Sequence, residues 1–134
     1  MESERPLIIR ARDVMRKGIV FIDGMATVRD AVKKMRSEKV ASLVVEKRNA
    51  DDAWGILVVQ DVIKGAIMAN RLLEDVHVYE IMTKPVITVP ADMDIRYVIH
   101  LIIRAGMRRA PVEENGELIG MISLSSLILE NDFI

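Results

Sequence analysis

Between Val28 and Met35 the apolar residues Val28, Ala31, Val32 and Met35 recur at intervals that place side chains on one helical face. Ile95, Val98, Ile99 and Ile102 repeat that pattern 67 positions further on. Each run follows a residue able to accept from the free N–H groups of a helix start: Thr27, with Asp30 three residues later, and Asp94. Gly106 suits the end of the second helix. Two β-type runs follow each helix, "ASLVVEK" with "WGILVV" and "APVEEN" with "ELIGMIS". The second pair is joined by Asn115-Gly116, a signal for a two-residue hairpin turn. Ahead of each helix lies a short apolar strand, "IVFI" or "VITV", and ahead of that a short helix, Arg12–Lys17 or Asp75–Met82. A last amphipathic helix begins near Gln60 and near Ser125.

The chain therefore says nearly the same thing twice. Met15 falls on Met82, Val20 on Ile87 and Val45 on Val112, all 67 apart, whereas Gly55 falls on Gly120, 65 apart. The first copy thus carries two extra residues in "EKRNADDA", a loop change of the kind repeats tolerate at a hairpin tip. The expected fold is α+β: two tandem βαββα repeats, 7–70 and 75–132, packed sheet to sheet about a pseudo-twofold axis. Three short strands can be covered by helices on one face only, so the other faces are expected to meet, with a cleft on either side of the junction.

Composition narrows the partners. With 134 residues and 51% hydrophobic residues the chain can build a core. Nineteen basic and 20 acidic residues leave a net charge of -1, which gives no global attraction to nucleic acid or an anionic membrane. There is no Cys, hence no disulfide framework, thiolate nucleophile or thiolate metal site. The longest apolar run, around Tyr97–Ile103, is interrupted by His100 and is far short of the roughly 20 residues a membrane helix needs. Nothing at the N-terminus has a signal-peptide pattern, and a cytoplasmic protein is expected.

The ordered set "DVMRKGIVFI" and "EIMTKPVITV", "MRRAPVEENGELIG", and "GILVVQDVI" and "GMISLSSLI" resembles the tandem CBS domain pair, or Bateman module, from about Leu7 to Leu129. That resemblance implies a regulatory module, not an enzyme. Its ligands would contain adenosine (AMP, ADP, ATP or S-adenosylmethionine), bound in clefts between the repeats. In the family pattern one repeat supplies a "G-h-x-[ST]-x-x-D" segment, where h is apolar. Its acid holds the ribose hydroxyls and its hydroxyl lies near the phosphate. The other repeat supplies its opening strand and the residues before "PV", which meet adenine largely through backbone and phosphate through basic side chains. A carboxylate accepts from two vicinal hydroxyls, and Arg offers a planar fork of donors to phosphate.

Carried onto this chain, the preferred cleft has Asp61 in the ribose position, with Ile56 ahead of it and Val58 where a hydroxyl is usual. Its other wall would hold Thr83, Val86, Ile87, Met107, Arg108 and Arg109. The weaker cleft has Ser123 in the hydroxyl position but Ser126 in place of the acid, with Arg16, Lys17, Val20, Val40, Ala41 and Ser42 opposite. The resemblance also implies a homodimer, formed through the helices that follow the sheets, and an effector protein acting in trans, since no residues remain for an output domain.

Plainer readings stand beside these. Asp61 also suits the first turn of a helix, Arg108 and Arg109 a helix end, and the serines a helix cap. His77 and Glu80 are three apart on a helix but lack the partners a metal needs. Asp51 and Asp52 are expected only to solvate the extra loop, and Asp92 with Asp94 form no catalytic set. Trp54 and the nine Met residues read as packing, with Met35 and Met107 able to give an adaptable cleft wall. The rival function is an assembly module with degenerate, empty clefts. A nucleic-acid surface around Arg104, Arg108 and Arg109 is a third and weaker reading.

Overall fold

The computed structural model describes residues 8–132; Leu7, the expected start of the first repeat, lies outside them. The elements run α1 (Ala11–Val14), β1 (Phe21–Ile22), α2 (Val28–Glu38), β2 (Ser42–Val45), β3 (Gly55–Val58) and α3 (Val59–Val62). A π-helical turn (Ile63–Ile67) prolongs α3, and a 3-10 turn (Leu73–Asp75) precedes α4 (Val78–Ile81). Then follow β4 (Val89–Pro90), α5 (Ile95–Arg104), β5 (Arg109–Glu114), β6 (Glu117–Ser123) and α6 (Leu124–Leu129).

The chain divides into two compact units, one of residues 20–86 and one of residues 8–19 with 87–132. Each holds a three-stranded sheet in the order first, second, third, the first pair parallel and the second antiparallel. In the first unit Val28, Ala31 and Met35 of α2 close over Leu43, Val45 and Leu57, joined by Val76 and Val78. In the other, Ile95, Val98 and Ile102 of α5 close over Ala110, Val112 and Ile122, joined by Ala11 and Leu127. Each fully buried Leu or Ile adds about 2 kcal/mol to folding.

Local chemistry sets the helix ends. Thr27 Oγ1 accepts from the Asp30 N–H at 3.1 Å, and an Asp94 oxygen accepts from the Arg96 N–H at 2.9 Å. Gly106, at φ +70°, stops α5; Lys39, at φ +57°, takes the left-handed place after α2. Asn115 and Gly116 both have positive φ (54° and 82°), as a two-residue hairpin between twisted strands requires.

Several expected boundaries move because backbone groups are used elsewhere. The helix expected over Arg12–Lys17 stops at Val14: Arg16 pairs with Met121, N–H to carbonyl in both directions. The one expected over Asp75–Met82 breaks at Val76 and His77, since the Val76 carbonyl accepts from Val28 and the Val78 N–H donates to Ala26. "IVFI" narrows to Phe21–Ile22. Of "VITV" only Val89 joins its strand, for Val86 donates instead to the Trp54 carbonyl in the first unit. Repeats and compact units are consequently cut at different places. The opening helix of each repeat packs in the core built mainly by the other repeat, Ala11 beside Val89 and Ile95, Val78 beside Val28 and Ala31.

Candidate functional site

Gly55 and Gly120 let the opening segments lie against the third strands. In the first unit the Thr83 and Ile56 backbones exchange two hydrogen bonds of 2.9 Å, and Gly55 sits beneath them, where an added Cβ would come 3.3 Å from the Thr83 carbonyl oxygen. In the other unit Arg16 and Met121 do the same, and a Cβ on Gly120 would come 2.8 Å from the Arg16 carbonyl oxygen. The two glycines that align the repeats thus mark a close backbone approach.

The candidate residues then sort by unit. One end of the first unit collects Val40, Ala41 and Ser42 at the start of β2 and Val58 and Asp61 at the start of α3, because Ser42 pairs with Val58. Ile56, Thr83 and Val86 lie along the adjoining edge of β3, and Val20 joins through its carbonyl, which accepts from Val44. The matching end of the other unit collects Met107, Arg108 and Arg109 with Ser123 and Ser126, because Arg109 pairs with Ser123. Arg16 lies along β6, and Lys17 and Ile87 belong to this unit as well. Residues that the resemblance assigns to different clefts are therefore neighbours within one unit.

Asp61 is the third residue of α3, and its Oδ2 accepts from the Val58 N–H at 2.9 Å. Val58 has no side-chain acceptor to return the bond, so only half of a capping box exists. Among the described residues the other carboxylate oxygen accepts no hydrogen bond. Burial pushes the carboxyl above its ordinary value, against the pull of the Val58 N–H and Lys64.

Arg109 is partly buried and Arg108 exposed. Burial, and then the like charge of Arg108, lower the Arg109 guanidinium from its usual value, and among the described residues neither Arg has a carboxylate partner. Ser123 and Ser126 are more fully occupied. The Ser123 hydroxyl accepts from the Ser126 N–H at 3.1 Å and lies 2.9 Å from the Ser126 hydroxyl, which itself donates to the Ser123 carbonyl at 3.0 Å. Both serve the start of α6.

Other candidates resolve into local roles. Glu80 accepts from the His77 N–H and from Arg71, and no metal-binding cluster occurs among the described residues. Asp92 pairs with Arg12 and Asp94 with Arg96.

Asp52 corrects the expectation for the extra loop. Its side chain is only 7% exposed and binds Lys84 Nζ at 2.7 Å and Arg48 Nε at 3.1 Å. Arg48, then Lys84, hold its carboxyl far below the usual range. At the opposite end of this sheet from Asp61, a cavity of about 730 Å3 is lined by Asp23, Met25, Lys47, Tyr79 and Lys84 among others.

The model of the CBS domain family matches residues 11–67 and 78–130. The structure is similar to that of a hexameric CBS-CP12 protein from bloom-forming cyanobacteria, at 36% identity and TM-score 0.89, covering 94% of this chain and 73% of that one. It is similar also to a conserved CBS domain protein of unknown function from Thermoplasma acidophilum, at 28% identity and TM-score 0.83, covering 94% of this chain and 71% of that one. An uncharacterised protein of Methanopyrus kandleri is 28% identical over 117 residues, 87% of this chain, and the chain spans 59% of that relative's length. No helix among the described residues is long and apolar enough to cross a membrane. With two matched domains, two three-stranded sheets and a glycine-marked seam in each unit, the chain belongs to the CBS domain family and carries a tandem pair of its domains.

Proposed function

We propose that the chain is a regulatory module that binds an adenosine-containing ligand and passes its occupancy to a partner protein. The observation that carries this reading is Asp61: a carboxylate partly withdrawn from water at a helix start, with one oxygen that accepts no hydrogen bond among the described residues, in the position where the family pattern places the ribose acid. Burying an unneutralised carboxylate costs stability, and a ligand offering two hydroxyls offsets that cost. Arg108 and Arg109 have no carboxylate partner among the described residues, and the family pattern offers such basic side chains to phosphate. AMP, ADP, ATP and S-adenosylmethionine all carry the adenosine that such a site reads.

Self-association fits the surface. Ile63, Ile67 and Met68 are 40%, 58% and 69% exposed on the helical segment after β3, and Ile128 and Leu129 are 59% and 80% exposed on α6. Apolar side chains gathered on such helices suit a second copy of the chain.

One observation favours the rival, an assembly module with empty clefts: Ser123 and Ser126 spend their hydroxyls on each other and on the start of α6. Titration calorimetry with the four ligands separates the two readings. Heat that is lost in Asp61→Ala but kept in Ser126→Ala supports ligand sensing through Asp61. No heat with any of the four supports assembly.

A further inference from the structure

The loop that is two residues longer in the first repeat ends in a charge cluster built on Asp52. Asp52 accepts from the Arg48 N–H at 2.8 Å and from Arg48 Nε at 3.1 Å, which ties the loop to itself. It also accepts from Lys84 Nζ at 2.7 and 2.8 Å, across 32 residues of sequence. The Lys84 side chain is 22% exposed and that of Asp52 7%, so the pair is shielded from solvent. Lys84 stands in the middle of a short seam. On one side of it Thr83 exchanges two hydrogen bonds with Ile56, and on the other the Val86 N–H donates to the Trp54 carbonyl. In the second repeat the acid at the hairpin, Glu114, pairs with Arg12 at 2.7 Å rather than with a seam residue, and the equivalent seam residue Arg16 pairs with Glu130.

We propose that Asp52 is a positioning residue: through Lys84 it holds Thr83–Val86 against β3. That segment is the backbone which, on the ligand reading above, meets the adenine. The part concerning ligand rests on that reading; the part concerning the seam does not. A shielded ion pair is costly to break from one side, because the remaining charge stays behind uncompensated. Removing either partner therefore loosens a seam that otherwise has three backbone hydrogen bonds at the edge of a sheet. Arg48 neutralises part of the carboxylate but reaches only the loop, so it cannot substitute for Lys84 on the seam.

The test combines amide hydrogen exchange, read by NMR, with ATP titration of the full chain. In Asp52→Asn and in Lys84→Met the Thr83 and Val86 amides are expected to exchange at least about tenfold faster than in the wild type, with α2 amides unchanged, as a local opening requires. The double variant is expected to be no faster than the faster single, the mark of one shared interaction. Lys84→Arg, which keeps the charge, is expected to retain protection, and Asp52→Asn answers for the seam should Lys84→Met fail to fold. ATP affinity is expected to fall about fivefold or more in both charge-removing variants. Wild-type exchange at Thr83 and Val86 in these variants, or additive effects in the double, would overturn the proposal. Unchanged ATP affinity despite faster exchange would overturn the part concerning ligand. Should the wild type bind no ATP, AMP, ADP or S-adenosylmethionine, the ligand reading fails by itself, and exchange at Thr83 and Val86 still decides whether Asp52 holds the seam.

Discussion

The Val58 N–H donates to Asp61 Oδ2 at 2.9 Å, so the carboxylate closes the first turn of α3. Among the described residues the other oxygen accepts no hydrogen bond. Since burial raises the carboxyl above its ordinary value, the ionised group costs the folded chain stability. That cost is absent below the unfolded value near 3.9, grows as pH rises and is complete above the folded value. Asp61→Asn keeps an acceptor for Val58 and removes the charge. It is expected to melt about 1–3 °C above the wild type at neutral pH in the absence of ligand, with the gap closing at about pH 3. Thermal melts across that range check this, and a variant less stable at neutral pH contradicts it.

Asp94 has the opposite sign. Hydrogen bonds from the Arg96 side chain and N–H lower its carboxyl to about 2. Its contribution is therefore fully present above the unfolded value near 3.9 and is lost as pH falls toward 2. Asp94→Ala is expected to melt below the wild type at neutral pH and to converge with it in strong acid.

The two seam glycines differ in how much room they leave. A Cβ on Gly120 would come 2.8 Å from the Arg16 carbonyl oxygen, whereas on Gly55 the Thr83 oxygen would be 3.3 Å away. Gly120→Ala is expected to cost about 2 kcal/mol or more and Gly55→Ala about 1 kcal/mol or less, read by urea denaturation.

Exposed apolar side chains set the expectation for assembly. Ile67→Glu and Leu129→Glu, at positions 58% and 80% exposed, are expected to leave the fold intact and to lower the sedimenting mass toward the monomer. An unchanged mass in both variants would move the contact to another face.

What was legible in the sequence is local. Thr27, Asp94, Gly106 and Asn115-Gly116 act within a few residues, and each stands where its pattern put it. Gly55 and Gly120 were visible as repeat markers, although the backbone approach that requires them is long-range. The exchange of opening segments was not legible, because pairing Arg16 with Met121 and Val76 with Val28 spans large separations and overrides helical spacing. The role of Asp52 was not legible because Lys84 lies 32 residues away and a surface loop gives no hint of a shielded acid. Within the candidate site, the meeting of Arg109 with Ser123 depends on a register shift at Val112 and Glu113. Counting back evenly from Asn115-Gly116 would set Arg109 against Ile122.

On the proposed reading Asp61, and not the cavity at the far end of its sheet, receives an adenosine ligand. An NMR titration of the labelled chain with ATP, AMP, ADP and S-adenosylmethionine in turn tests it most directly. At least one ligand is expected to shift the amides of Val58–Asp61 in the wild type and to leave them unmoved in Asp61→Ala. Shifts confined to Lys47 and Tyr79, or none with any of the four, would contradict the claim.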